Sequence, residues 1–202
     1  MNKKVQRHLA KDPIFKPLVD AIQLAPLTTD AAPNLYVALV RSIIFQQLSG
    51  KAASSIYQRF LNLFEDQTPN PKQILQLDLE TLRGAGLSRQ KAGYVQNVAH
   101  FFQTHQLEKK DWTKVPDETI LTQLTQIKGV GTWTVQMILM FNLQRPDIFP
   151  MDDLVVRQSI IQLYGVKETG RALKPRLLEI ATAWQPYRST ASRYLWRWKD
   201  QF

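Results

Sequence analysis

Apolar residues recur along most of the chain at the three- and four-residue spacing of a helix buried on one side. From Pro33 to Leu48, residues Leu35, Leu39, Val40, Ile43, Ile44 and Phe45 make a broad apolar stripe, which Ser49 and Gly50 interrupt. Lys51 to Phe64 resumes the pattern with Ala53, Ile56, Tyr57, Phe60 and Phe64. Pro69 and Pro71 break it. Ile74 to Arg83 reads as one or two short helices, and Ser88 suits the N-cap of a helix running to about Phe102. Asp117 is placed to cap a helix carrying Ile120, Leu121, Leu124 and Ile127. Further helices are expected over Thr132–Asn142, Asp152–Tyr164, Gly170–Ala183 and Ser189–Lys199, and an N-terminal one over Ile14–Leu24 that returns to the C-terminal helices. No segment of useful length alternates with period two, so the pattern predicts an all-α protein of roughly ten helices.

Composition narrows this. Of the 202 residues, 44% are hydrophobic and 21% charged, enough for a substantial interior and unlike a disordered chain. The absence of cysteine removes disulfides, Cys-ligated zinc and a Cys-ligated iron–sulfur cluster. His8, His100 and His105 are too scattered for a metal site. Lys and Arg exceed Asp and Glu by 26 to 17, and the net charge of +9 points to a polyanionic partner, nucleic acid or an acidic surface. No apolar stretch approaches a membrane span and the first residues lack a signal-peptide core, so a soluble, intracellular protein with no membrane partner is expected.

The chemistry concentrates in two segments. Between Leu124 and Thr134 an apolar helix ends, Gly129-Val130-Gly131 turns, and a second apolar helix starts at once. Glycines there permit positive φ and close backbone approach, and amides at the start of the second helix can face a phosphate. An ordinary αα-hairpin has the same look. The second segment is Phe149-Pro150-Met151-Asp152-Asp153. A fixed carboxylate can stabilise positive charge developing on a sugar or orient an attacking water, yet an Asp ahead of a helix is ordinarily its N-cap.

Taken together, IKGVGTWTVQMIL and FPMDDLVVRQ resemble the helix-hairpin-helix (HhH-GPD) DNA glycosylase superfamily, in particular its DNA-3-methyladenine glycosylase II branch. In that family an aspartate follows the last hairpin glycine by about 22 residues, and Asp153 stands 22 after Gly131. VRSIIFQQLSGKAASSI, GAGLSRQKAGYV and WQPYRSTASRYLW are similar to its other segments and fall in the family's order. The resemblance implies two helical lobes, approximately 35–145 and 1–34 plus 146–202, with the active site in the cleft between them. It implies Asp153 as the catalytic carboxylate, with Asp152 as cap or support. Trp133, Met137, Tyr187 and Trp196 would line a base pocket. Lys128, Gly129, Val130, Gly131 and Thr132 would hold DNA, with Gln47 or Leu48 as the wedge that fills the gap left by an everted base. The carbonyls of Thr125, Ile127 and Gly129 would hold a structural monovalent cation, Na+ or K+, and no cofactor is required. Strand-cutting relatives carry a Schiff-base lysine two residues past the last hairpin glycine. Trp133 stands there, which implies hydrolysis only. Met137 departs from the tyrosine of the best-known relative and leaves the lesion preference open.

The implied function is excision of alkylated purines (3-methyladenine, with 7-methylguanine or deaminated purines beside it) from double-stranded DNA by a monomer, in the cytoplasm of a bacterium or the nucleus of a eukaryote. A glycosylase for another lesion, a non-catalytic DNA-binding module and an all-α interaction domain stay open. A pure binder needs neither Asp153 nor the aromatic set, and an interaction domain shows no salt-dependent DNA binding.

Overall fold

The computed structural model describes residues 3–27 and 34–200, and among these every regular element is helical. In chain order the helices are α1 (Lys3–Leu9), α2 (Lys16–Ala21), α3 (Leu35–Phe45), α4 (Gly50–Leu61), α5 (Pro71–Gln76), α6 (Leu79–Gly84), α7 (Arg89–Thr104), α8 (Asp117–Leu124), α9 (Thr132–Phe141), α10 (Leu154–Tyr164), α11 (Leu173–Thr182) and α12 (Arg188–Lys199). Single 3-10 turns at Trp112–Lys114 and Gly170–Ala172 precede α8 and α11. Among the described residues no helix is long and apolar enough to cross a membrane.

Local chemistry sets the helix ends. Ser88 caps α7 as expected, its side chain accepting from the Lys91 amide. The Ile74–Arg83 stretch resolves into two helices because Asp78 accepts from Thr81 N at 2.7 Å and opens a new one. Asp117 does not cap α8. It is the first helical residue, following an extended Pro116, where its charge suits the positive end of the helix dipole. The expected helix at Ile14–Leu24 is shorter, starting beside Pro17, and α1 precedes it unforeseen. Pro33 lies outside the described residues, and α3 opens at Asn34, whose side chain accepts from Tyr36 N at 3.0 Å.

The chain divides into two compact units, with the boundary inside α9 between Ile138 and Leu139. In the first, α1 and α2 join the chain from Leu139 onward. Its core is built on Phe15, Trp184 and Tyr194, all fully buried, with the Phe15 ring 5.0 Å from Trp184 and 6.0 Å from Tyr194. Tyr164 donates a short hydrogen bond to Asp12, whose other carboxylate oxygen accepts from the amides of Ile14 and Phe15. α2 packs against α12, as the sequence predicts.

In the second unit α7 is the central helix. Its Ala92, Val95, Val98, Ala99 and Phe102 are buried on one face and pack against α3, α5 and α6. Tyr36, Leu39, Ile43 and Ile44 of α3 are equally sealed. Burying side chains of this size contributes about 1.5–3 kcal/mol each, so both units have cores of their own.

Candidate functional site

In the second unit, the segment from α8 to α9 forms a tight hairpin. Thr125 Oγ1 donates to Leu121 O at 2.8 Å and closes α8. Ile127 N donates to Leu124 O, Val130 N donates to Ile127 O at 2.9 Å, and Val135 N returns to Gly131 O. Ile127 and Val130 are buried. Lys128, Gly131 and Thr132 are exposed, as is Trp133 at 43%. The Val130 amide is taken by Ile127 O and its side chain is buried, so Val130 anchors the turn.

The two glycines also part company. Gly129 has φ +102°, and a Cβ on it would lie 2.2 Å from Cγ of Tyr94. Gly131 is not in the left-handed region, and a Cβ there would meet nothing within 4 Å. Gly129 is thus required by the fold. Gly131 leaves clearance in front of the α9 N-terminus, whose first-turn amides point along the axis toward any bound anion.

Polar side chains brace the hairpin from behind. Asn97 Nδ2 donates to Lys128 O at 3.2 Å, and Gln46 Nε2 makes long bonds of 3.4 Å to Gly129 O and Thr134 Oγ1. Gln46 begins the turn between α3 and α4. Gln47 follows with φ +56°, and both it and Leu48 are exposed. Lys91 Nζ donates to Ile44 O at 2.8 Å and Gln46 O at 2.6 Å. The sequence does not single out Tyr94, Asn97 or Lys91, and Gln46 enters it only as part of the turn that carries Gln47 and Leu48. Gln46 lies 83 positions from Gly129, and no local pattern signals such a partner.

The donor set proposed for a cation consists of three neutral carbonyls, a type that suits a hard cation and not a thiolate- or imidazole-seeking metal. Ile127 O accepts from Val130 N and Gly129 O from Gln46 Nε2, and a carbonyl oxygen offers two lone pairs. The residues present fit the group.

In the first unit, Asp153 is itself the N-cap of α10, a place the sequence reading gave to Asp152. Its Oδ1 accepts from Val156 N at 2.9 Å and from the indole Nε1–H of Trp196 at 2.9 Å. Asp152 is exposed and precedes the cap. The loop that delivers Asp153 is tied down upstream. Arg188 grips Asp147 with two 2.8 Å contacts, and Ser189 Oγ accepts from Ile148 N and donates to Arg145 O. The Trp196 ring stacks on Phe141, the last residue of α9, with centroids 5.9 Å apart at 29°. Phe141 was not singled out in the sequence, although it continues the i, i+4 series Trp133, Met137 along α9. Tyr187 precedes α12, half-buried, with its ring edge-on to His8 of α1 at 5.2 Å.

The profile of the HhH-GPD superfamily of base excision DNA repair proteins matches residues 40–184. The Bacillus subtilis protein YfjP is 33% identical over 85% of this chain, which spans 61% of the length of that relative. DNA-3-methyladenine glycosylase 1 of Schizosaccharomyces pombe is 34% identical over 80% of this chain and 71% of its own length. Among solved structures, a Schizosaccharomyces pombe 3-methyladenine DNA glycosylase (Mag1) in complex with abasic DNA superposes with a TM-score of 0.80 at 31% identity, covering 96% of each chain.

Proposed function

Because the chain belongs to the HhH-GPD superfamily of base excision DNA repair proteins, we propose that it is a DNA-3-methyladenine glycosylase that hydrolyses the N-glycosidic bond of alkylated purines in duplex DNA and leaves the strand uncut. The observation that carries this reading is the setting of Asp153. Its carboxylate is held at a helix start by a backbone and an indole N–H, beside the Trp196–Phe141 stack. Breaking the glycosidic bond builds positive charge on the sugar, and a carboxylate already oriented stabilises that charge without reorganising. It can equally orient the attacking water. Alkylation puts positive charge on a purine ring, which electron-rich indoles attract.

The remaining roles follow. The exposed α9 N-terminus with Lys128, Gly131 and Thr132 holds phosphate, a contact that positions DNA without reading its sequence. Gln47 and Leu48 fill the space of the everted nucleotide. A monovalent cation on the carbonyls of Thr125, Ile127 and Gly129 would supply positive charge beside that phosphate. With Trp133 where strand-cutting relatives carry a lysine, no amine stands at that position to form a Schiff base.

The test uses duplexes carrying one defined lesion each, incubated with the protein and then treated with alkali. Alkali-dependent breakage at alkylated purines is expected, with none before alkali and none with Asp153→Asn. Absence of abasic sites on every alkylated duplex overturns the reading, and breakage without alkali overturns its hydrolysis-only part.

A further inference from the structure

Lys91 occupies an electrostatically poor position. It is the third residue of α7, at the positive end of that helix's dipole, where a cation is disfavoured. It is also half-buried, and desolvation pushes its ammonium below the usual lysine range. What offsets both penalties is the far end of another helix. Nζ donates to Ile44 O, in the last turn of α3, and to Gln46 O just beyond it. These carbonyls stand at the negative end of α3, where intrahelical donors have run out.

Gln46 then links in a second direction. Its carbonyl takes the lysine while its side-chain amide reaches Gly129 O and Thr134 Oγ1. Between these contacts and α4 lie Gln47, in the left-handed region, and the exposed Leu48. A cavity of about 240 Å3, lined by Ile44, Gln46, Leu48, Ile56 and Lys91 among others, opens beside the turn. Polar contacts, rather than close apolar packing, therefore set the course of the chain here.

We infer that Lys91 and Gln46 form a positioning brace that holds the Gln47–Leu48 turn in register with the Gly129–Gly131 hairpin. The inference rests on the reading of the turn as wedge and the hairpin as DNA grip. Lys91 Nζ is already engaged by two backbone carbonyls. It acts through the backbone it holds, so its loss falls on extrusion of the nucleotide and not on bond breaking or on the electrostatic grip.

Single-turnover base release separates these steps. The same alkylated purine is presented fully paired and in a single strand, where unstacking is largely met beforehand. Lys91→Met keeps most of the unbranched apolar stem and removes the donors. It is expected to slow release from the paired duplex roughly tenfold or more, to change release from the single strand less than about twofold, and to leave the salt dependence of binding unaltered. Lys91→Arg is expected to recover most of the duplex rate. Equal loss on both substrates, or no loss on either, overturns the brace. Hydrogen exchange of the DNA-free protein tests it independently of catalysis. Lys91→Met should speed exchange at residues 47–50 and in the hairpin while the α7 core stays protected, and unchanged exchange there overturns the brace. If the wild-type protein releases no base from either substrate, the functional reading falls, and the exchange result still decides the brace.

Discussion

Asp153 has two tasks at the level of a single side chain, and they can be separated. As N-cap it accepts from Val156 N, and as the proposed catalytic group it is oriented by Trp196. Asparagine caps as well as aspartate. Asp153→Asn should therefore melt within a few degrees of wild type while base release falls by orders of magnitude. Asp153→Ala should lose activity and also about 1 kcal/mol of stability from the missing cap. Thermal melts beside the alkali assay distinguish the two. Trp196→Phe keeps an aromatic ring against Phe141 but removes the indole donor. A hydrogen bond to a charged group contributes about 1.5–3 kcal/mol, so release should slow roughly ten- to a hundredfold if that bond matters as much in the transition state. A kcat fall with little change in KM is the expected pattern, because the indole N–H orients the carboxylate and the ring that would face the base persists.

Within the hairpin the two glycines stand in different surroundings. Gly129→Ala puts a Cβ into the Tyr94 ring and a side chain at positive φ, a conformation that alone costs about 1–3 kcal/mol. Chemical denaturation should register that loss. Gly131→Ala should leave the denaturation midpoint nearly unchanged, since its Cβ enters open space. It should nonetheless weaken binding to lesion-bearing and undamaged duplexes alike, as fluorescence anisotropy would report, because the lost clearance is the one proposed to admit a phosphate. The Gly-x-Gly pattern was legible in the sequence. The asymmetry within it was not, since it depends on Tyr94, 35 positions earlier in the chain on α7.

Across the whole molecule the excess of basic residues gives a net charge of +9. Binding to undamaged duplex should therefore weaken steeply with salt, the logarithm of affinity falling linearly with the logarithm of salt concentration. If Lys128 faces a phosphate, Lys128→Ala should reduce that slope by about 1 without altering which lesions are excised. An unchanged slope would return Lys128 to the status of a solvated surface charge.

The sequence by itself determined the helical class, most helix starts, the hairpin and the spacing that singles out Asp153. Those signals are local, because helix periodicity, capping and glycine turns act over a few residues. Only tertiary structure decided which side chains meet. Trp196 reaches Asp153 across 43 positions, Lys91 reaches Gln46 across 45, and the Tyr187 ring meets His8 edge-on. It also moved the α10 cap from Asp152 to Asp153 and turned Val130 inward. Such pairings depend on where the chain returns after several helices, and a polar residue on a helix looks the same in sequence whether it faces water or a distant carbonyl.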